Sequence, residues 1–330
     1  MVKLNDKEVG QIGYGLMGFT WRADPAPAKQ AISAMRAAVT SGSNFWNGGE
    51  IYGTVERNSL HLLNEYFTQY PEDADKVVLS IKGGCEPGTA NPIGTAANVS
   101  RSIEECLKVL DGKKFLDLFE VARLDPNVPF EETIGTIADY VKKGKVGGIS
   151  LSEVNANTIR KVHAIYPVSA VEVELSLWST DILTNGIAQT CGELGIPIVA
   201  YSPLGRGFLT GQFQKYEDIP ENSLLRHMPR FQPDVFDENI KLLHEVEKIA
   251  KQKNATPGQV ALGWILAHSG KNGLAEIIPI PGATTESRVK ENTTLLKLSD
   301  EDIAVISDIL KKFPIQGHRY PAFLQGHLEQ

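Results

Sequence analysis

The sequence predicts an α/β fold, a (β/α)8 TIM barrel with an N-terminal hairpin, a long loop after strand seven and a C-terminal tail. Short β-branched or aromatic runs alternate with amphipathic stretches along the chain. Apolar residues recur about every 2 residues in the former and about every 3.6 residues in the latter. Eight such alternations follow one another without a break in composition, which indicates a closed parallel sheet. Barrels of this kind commonly exceed about 200 residues as one unit. We therefore predict a single domain spanning residues 1–330.

The predicted strands are short apolar runs, and most are followed by a segment with helical periodicity. The eight strands are 11–15, 44–47, 76–84, 115–123, 147–152, 169–178, 197–204 and 275–282. The helices between them are 28–42, 56–70, 94–110, 130–145, 155–166, 181–195 and 258–269. The last of these helices has its start marked by Thr256 as N-cap and by Pro257 in the first turn.

Four segments lie outside these repeating units. Residues 2–12 are predicted to form a small hairpin that caps the floor of the barrel. Residues 206–256 form an insertion between strands seven and eight, with a helix around 237–253, and a long loop at this end of a barrel commonly serves the site. A last helix is predicted at 299–313. The tail 317–330 follows it, and either folds back over the pocket or frays as a chain terminus.

Composition and charge narrow the classes of partner. The formal net charge is −7 and no lysine-rich block occurs, so the sequence predicts no binding to nucleic acid or to an acidic membrane. No apolar run approaches the roughly 18 residues of a membrane helix, and the N-terminal MVKLNDKEVG does not resemble a signal peptide. Cys85, Cys106 and Cys191 form an odd set without metal-ligand spacing. We therefore expect a cytoplasmic protein with buried thiols, no metal and a small molecule as partner, while its oligomeric state stays open.

The stretch GYGLMG, residues 13–18, matches the glycine pattern G-x-G-x-x-G of dinucleotide-binding turns. That pattern indicates a Rossmann site only where a helix begins at the glycines and an acidic residue follows about 20 positions later. Here FTWRADPAP follows, so no helix is expected at the glycines, and the next strand ends at Asn47 instead of an acidic residue. We interpret GYGLMG as barrel strand one and its exit loop, with Gly13 and Gly15 serving close packing.

Two residues that could act together in catalysis lie at the carboxyl ends of predicted strands two and three. Tyr52 lies in FWNGGEIYG and Lys82 lies in SIKGG. In this fold the carboxyl ends of the strands carry catalysis, so the two side chains are expected to meet there. A free tyrosine, with a pKa of about 10, is a weak acid near neutral pH, and a lysine ammonium beside it lowers that pKa. The pair could protonate an alkoxide; a structural tyrosine and a solvated lysine are the alternative.

The chain resembles the aldo-keto reductases, from GYGLMG through YSPLGRGFLTG to IPIPGATTESRVKEN. The resemblance implies a barrel that transfers hydride between a nicotinamide cofactor and a carbonyl or alcohol, with a catalytic tetrad of aspartate, tyrosine, lysine and histidine. Tyr52 and Lys82 match two of those positions. The aspartate position, usually within F-D-T-A, is Asn47 in FWNGGE. The histidine position, usually within L-H-R, is Ala122 in EVARLD.

Both departures from the tetrad have physical consequences. Asn47 can accept a hydrogen bond from the Lys82 ammonium but leaves its charge uncompensated, so Tyr52 is expected to be a stronger acid. Ala122 removes a hydrogen bond worth roughly 1.5 to 3 kcal/mol toward a developing charge, and it opens space in the pocket. A bulky, ring-bearing aldehyde with polar groups could use that space.

The substrate is inferred from the aromatic residues and from a narrower resemblance. Four aromatic side chains are expected to line the pocket and stack on a ring: Phe19, Trp21, Trp46 and Tyr320. The combination of FWNGGE with FEVARLD resembles the fungal pyridoxal reductase branch of the family. That resemblance implies reduction of pyridoxal to pyridoxine, with Tyr52 as proton donor.

The family resemblance also implies which residues hold the cofactor. Tyr201 matches the aromatic residue that stacks on the nicotinamide, and Ser152 matches the serine that meets the carboxamide. Glu153 and Glu172 replace the usual asparagine and glutamine, and a carboxylate accepts from the carboxamide but cannot donate to it. The pyrophosphate loop is matched by Ser202, Leu204, Arg206 and Gly207. The positions near the 2'-phosphate and adenine are matched by Thr284, Thr285, Ser287, Arg288, Glu291 and Asn292.

Arg288 predicts NADPH as the cofactor, in preference to NADH. A guanidinium offers bidentate donors to a phosphate dianion, although Thr284 and Thr285 lack the extra positive charge that some relatives carry there. Solvated polar residues at a helix N-terminus are the alternative interpretation at each position taken singly. The pattern as a whole favours cofactor binding, because barrels commonly bind phosphate after strands seven and eight.

Three other functions stay open at this point. The protein could be a generalist aldehyde reductase without a preference for pyridoxal. It could be a nucleotide-sensing regulatory subunit with little turnover, like the aldo-keto-reductase-like β subunits of potassium channels. It could also be an unrelated barrel lyase that uses Lys82 as a Schiff base without a nicotinamide cofactor.

Overall fold

The fold is a closed barrel of eight parallel strands surrounded by helices, in a computed structural model that describes residues 2–322, 326 and 328. An antiparallel hairpin, β1 (Val2–Leu4) and β2 (Lys7–Val9), precedes the barrel. The barrel strands are β3 (Tyr14–Gly15), β4 (Phe45–Gly49), β5 (Val78–Gly83), β6 (Leu118–Val121), β7 (Ile149–Ser152), β8 (Val168–Glu174), β9 (Ile198–Tyr201) and β10 (Ile277–Pro279). The predicted fold class is therefore confirmed.

Each barrel strand pairs with its neighbour in the chain, and the two ends of the sheet meet. Gly15 forms a parallel bridge with Gly282, and the Gly13 amide donates to the Pro279 carbonyl at 2.9 Å. A Cβ atom at Gly13 would lie 2.8 Å from an Ile280 methyl, and one at Gly15 would lie 2.9 Å from the Ile280 carbonyl oxygen. The two glycines thus permit the close approach that closes the barrel, as predicted.

The helices form the outer layer of the barrel and its appendages. They are α1 (Met17–Thr20), α2 (Ala28–Thr40), α3 (Ser59–Gln69), α4 (Ala96–Leu110), α5 (Phe130–Lys142), α6 (Ala156–Ile165), α7 (Ile187–Leu194), α8 (Pro233–Gln252), α9 (Pro257–His268), α10 (Glu286–Thr293) and α11 (Asp300–Lys312). Short 3-10 turns occur at Pro71–Asp73, Asp181–Leu183, Gly205–Thr210, Tyr216–Asp218, Leu224–His227 and Pro229–Phe231.

Three predicted helix boundaries need correction. A single helical turn, α1, does begin inside GYGLMG, where the sequence predicted none, but the next helix begins only at Ala28. The helix predicted at 181–195 is interrupted at Gly186, whose φ of 92° is left-handed. The helix of the insertion begins four residues earlier than predicted, because Pro233 at its first position has the φ that a helix needs.

The N-terminal hairpin closes the floor of the barrel. Val2, Leu4 and Val9 are buried in one cluster with residues from the first halves of the strands, among them Phe45 and Leu118. The prediction of a capping hairpin is therefore confirmed. The hairpin does not cover the opposite end of the barrel, where the strands finish.

Two compositional predictions can be compared with the structure. Cys85, Cys106 and Cys191 are free and buried, as predicted. Within the described part of the chain, no helix has the length and apolar character needed to cross a membrane, and no cluster of possible ligands could hold a metal ion.

Candidate active site

Tyr52 and Lys82 meet at the carboxyl end of the barrel, as predicted. Lys82 lies on β5 opposite Gly49 of β4, and Tyr52 follows three residues after that glycine. The Lys82 Nζ atom lies 5.9 Å from the centre of the Tyr52 ring. Both side chains are almost completely buried, with 8% of Tyr52 and 4% of Lys82 exposed. A tyrosine beside an ammonium can act as a proton donor, because the positive charge favours the phenolate that donation leaves.

Two buried glutamates compensate the charge of Lys82. Its Nζ atom lies 3.0 Å from Glu120 Oε1 and donates to Glu172 Oε1. Asn47 accepts from the same ammonium at 3.5 Å, and its amide donates to Glu120 Oε2 at 2.8 Å and to Glu172 Oε2 at 2.6 Å. The prediction that Asn47 leaves Lys82 uncompensated is therefore wrong, because two acids from other strands take the place of the aspartate.

The pKa of Tyr52 is raised above its ordinary value, against the expectation of a stronger acid. Burial of the hydroxyl raises this pKa most, and the charge of Lys82 lowers it. Glu172 and Glu120 raise it again. The pKa of Lys82 is also raised: burial alone would lower it, but the charges of Glu120 and Glu172 act more strongly in the opposite direction. Lys82 therefore stays an ammonium and Tyr52 stays a protonated donor at neutral pH.

Glu120 was not singled out in the sequence, and Glu172 has a partner that the sequence did not indicate. Glu172 was matched to the carboxamide side of the cofactor, yet its two oxygens contact Lys82 and Asn47. Glu120 lies directly opposite Lys82 in the register of β5 and β6. The signal was present as an acidic residue inside the apolar run FLDLFEVAR, two positions before Ala122.

Ala122 follows β6 and is buried, and its amide donates to the Gly83 carbonyl at 3.1 Å. The next residue, Arg123, was also missed, and its guanidinium donates to the Ser152 hydroxyl at 3.0 Å. Burial lowers the pKa of Arg123, but the neighbouring Tyr201 and other groups, among them Tyr52, raise it overall. The site thus carries a cation next to the position where the family has its histidine.

The C-terminal tail folds back onto the site. Arg319 forms two hydrogen bonds with Glu153, at 3.1 and 3.0 Å, and the Tyr320 hydroxyl lies 3.1 Å from that of Tyr201. Tyr201 also donates to Glu153 at 2.9 Å. Burial would raise the pKa of Glu153, but Arg319, Arg123 and Tyr201 together lower it, so this carboxylate is ionised. Of the two interpretations of the tail, folding back is confirmed as far as Ala322; residues 323–325, 327, 329 and 330 lie outside the described part.

The prediction that four aromatic side chains line the pocket is wrong for two of them, Trp46 and Phe19. Trp46 is fully buried and packs on Tyr66 of α3, with ring centres 5.0 Å apart, and Phe19 packs on Tyr14. Because side chains alternate along a strand and Asn47 points into the barrel, Trp46 points outward toward the helices. Trp21 does reach the site, where its ring stacks on that of Tyr52 at 5.4 Å.

The predicted pyrophosphate segment forms an unusual turn after β9. Ser202, Gly205, Arg206 and Gly207 have left-handed φ angles of 49°, 57°, 57° and 96°. The Gly205 and Gly207 amides donate to the Ser202 and Leu204 carbonyls of the same turn, at 2.9 and 3.0 Å. Arg206 stacks on the Tyr320 ring at 4.5 Å and lies 3.9 Å from a Glu174 oxygen. Leu204 is buried beneath the turn.

The segment predicted around the 2'-phosphate forms the start of α10. Thr285 is its N-cap and accepts from the Arg288 amide at 3.4 Å, while the Ser287 hydroxyl lies 3.1 Å from that of Thr285. The Arg288 guanidinium is exposed and donates to Glu291 at 2.9 Å. Thr284 precedes this cap, and Asn292 is buried.

These two segments fit a phosphorylated dinucleotide by their chemistry. They offer hydroxyls, two guanidinium groups and the positive end of a helix, all after strands β9 and β10. Such a donor set suits anionic oxygens.

Known proteins are similar to this chain in sequence and in fold. The model of the Aldo/keto reductase family matches residues 11–311. The chain is 43% identical over 332 residues to "Probable pyridoxal reductase 2" of Schizosaccharomyces pombe, covering 98% of each chain, and 40% identical to "Putative pyridoxal reductase" of Saccharomyces cerevisiae, covering 93% and 95%. A glycerol dehydrogenase from Gluconobacter oxydans superposes with a TM-score of 0.82 at 19% identity, covering 96% and 97%, and this likeness concerns the fold alone.

Proposed function

Because the chain belongs to the aldo/keto reductase family of oxidoreductases, we propose that it reduces an aldehyde to a primary alcohol with NADPH. The observation that carries the proposal is the buried pair of Tyr52 and Lys82 at the ends of neighbouring strands. NADPH would supply the hydride to the carbonyl carbon. Tyr52 gives its hydroxyl proton to the carbonyl oxygen, and the Lys82 ammonium stabilises the phenolate that remains.

We propose pyridoxal as the substrate and pyridoxine as the product. Two relatives carry the name pyridoxal reductase. The small Ala122 leaves room for a substituted ring, and Trp21 offers a flat face beside Tyr52. Pyridoxal has a ring hydroxyl next to its aldehyde, and the Arg123 guanidinium can pair with that oxygen when it is ionised. We also propose the cytoplasm as the compartment, with a small-molecule aldehyde as the partner, in keeping with three free buried thiols.

The lyase alternative is disfavoured by the state of Lys82. A Schiff base requires a neutral amine, whereas this ammonium is held by two buried carboxylates and has a raised pKa. The regulatory alternative would bind the cofactor with little turnover. Intact Tyr52 and Lys82 support an enzyme instead.

The proposal is tested by the rate of NADPH oxidation with pyridoxal, benzaldehyde and a short aliphatic aldehyde at equal concentrations. We expect kcat/KM for pyridoxal to exceed that for benzaldehyde by about tenfold or more, the equivalent of one charge-assisted hydrogen bond. Similar values for all three would indicate a generalist reductase. Tight NADPH binding without turnover of any aldehyde would contradict the enzyme and favour the sensor.

Substitution of Arg288 tests whether the protein prefers NADPH to NADH. Arg288→Ala should raise the KM for NADPH by about tenfold or more, since a charge-assisted contact to phosphate contributes about 1.5 to 3 kcal/mol. The KM for NADH should stay the same, because NADH has no 2'-phosphate. Lys290→Ala, which removes an exposed cation from the same helix, is the matched control. An equal effect of Arg288→Ala on both cofactors would contradict a phosphate contact.

A further inference from the structure

Glu120 and Glu172 are two buried acids that face a single ammonium inside the barrel. Glu120 is fully buried, and Glu172 and Asn47 are each 2% exposed. Lys82 contacts one oxygen of each acid, and the Asn47 amide donates to the other oxygen of each. The Ser80 hydroxyl also donates to Glu120 Oε2, at 3.1 Å. The two acids are thus held in one network by Asn47 and Lys82.

The charges in this network do not balance if both acids are ionised. Two carboxylates and one ammonium would leave a net negative charge in the interior of the barrel, which is costly without a further partner. One retained proton restores neutrality. Glu120 Oε1 can carry this proton, because it makes no hydrogen bond within the described residues. It lies 3.0 Å from Lys82 Nζ.

We propose that Glu120 and Glu172 share one proton and serve as the proton reservoir that reprotonates Tyr52 through Lys82. The proposal rests on the aldehyde reduction proposed above. It also accounts for the amide at position 47, because an aspartate there would place a third carboxylate in the same network. Asn47 instead donates to both acids and positions their other oxygens on Lys82.

Protons balance over one reduction. The Tyr52 proton forms the new O–H bond of the alcohol, and the phenolate that remains takes a proton from the Lys82 ammonium. The amine takes the proton shared by Glu120 and Glu172, and the pair regains one from solvent before the next turnover. Each cycle therefore consumes one hydride and one solvent proton.

The pH dependence of this reservoir follows from its surroundings. Burial, then the charge of Glu120, raises the pKa of Glu172 to about 8, while Lys82 opposes that rise. Tyr52 also faces Lys82, and its charge acts on Arg123. The shared proton is present below this pKa, so kcat for reduction should fall as pH rises above about 8.

The shared proton can be measured without turnover. Infrared spectra of the wild type at neutral pH should contain the carbonyl stretch of a buried carboxylic acid that shifts in heavy water. Glu120→Gln combined with Glu172→Gln should remove this band. Glu50→Gln should keep it, because Glu50 is a partly buried acid of the neighbouring loop that pairs with Arg101. Absence of the band in the wild type would overturn the shared proton, whatever the enzyme reduces.

The reservoir role is tested by kinetics on the same variants. The double glutamine variant should lose about tenfold or more in kcat and should lose the decline above about pH 8. Adding Asn47→Asp to it returns one carboxylate to Lys82 but no shared proton, so kcat should stay low; recovery of kcat would indicate that the acids only compensate the charge of Lys82 and would overturn the reservoir. Glu50→Gln should keep the wild-type kcat and pH profile. A double variant with the wild-type kcat and pH profile would overturn the reservoir; a wild type inactive on every aldehyde would instead refute the proposed function.

Discussion

Tyr52→Phe is expected to abolish aldehyde reduction while leaving NADPH binding intact. The substitution removes only the hydroxyl, and a general acid contributes about 10²–10⁴-fold to a rate, so kcat should fall by about that factor. The phenylalanine ring keeps the stacking on Trp21, so the pocket should keep its shape. Steady-state kinetics with pyridoxal and NADPH fluorescence titration measure the two effects separately.

A second tyrosine provides the control for this result. Tyr66 is buried and donates to Asp73, far from the site on α3. Tyr66→Phe should lower the free energy of unfolding by about 1–3 kcal/mol, since Asp73 loses a donor, but should keep kcat. Full activity of Tyr52→Phe would rule out Tyr52 as the proton donor and, with it, the mechanism proposed for this site.

Lys82→Met is expected to impair both catalysis and stability. Without the ammonium, Tyr52 loses the neighbouring charge that lowers its pKa most, and kcat should fall by about 10²-fold or more. Glu120 and Glu172 lose their cation in the interior, and breaking a buried ion pair costs about 3–5 kcal/mol of unfolding free energy. Thermal and denaturant unfolding measure this cost.

The stability of Lys82→Met should depend on pH, and the sign of this dependence follows from the two buried acids that remain. Without Lys82, burial and repulsion from Glu120 hold the folded-state pKa of Glu172 above the unfolded value of about 4.3. The folded state then binds more protons than the unfolded state, so this contribution to stability is fully present below about pH 4.3 and is lost as pH rises. The variant should therefore unfold more easily at about pH 8 than at about pH 5. Adding Glu172→Gln should recover part of the loss.

Lys114→Met is the matched control for Lys82→Met. Lys114 is also buried and pairs with Asp117 at 2.7 Å, but it lies before β6 at the other end of the barrel. This variant should lose stability and keep kcat per folded molecule. If Lys82→Met unfolds equally at both pH values, Glu172 does not retain an extra proton in the folded variant.

Most of the fold and the outline of the site could be predicted from the sequence. Alternating apolar periods identified all eight strands, and glycines in GYGLMG indicated the close contact at which the barrel closes. Tyr52 and Lys82 were predictable because parallel strands bring their carboxyl ends to one face. The helix that breaks at Gly186 was not, since a left-handed residue leaves no trace in periodicity.

The sequence by itself determined the barrel, the meeting of Tyr52 with Lys82 and the segments suited to a phosphorylated cofactor. Only the tertiary structure decided which groups surround Lys82. Glu172 is 90 residues from Lys82 in the chain, and 125 from Asn47. Local pattern fixes which element a residue joins, whereas the stagger and register of the closed barrel fix which side chains meet inside it. The charge state of the site depends on that meeting, because burial and neighbouring charges set each pKa.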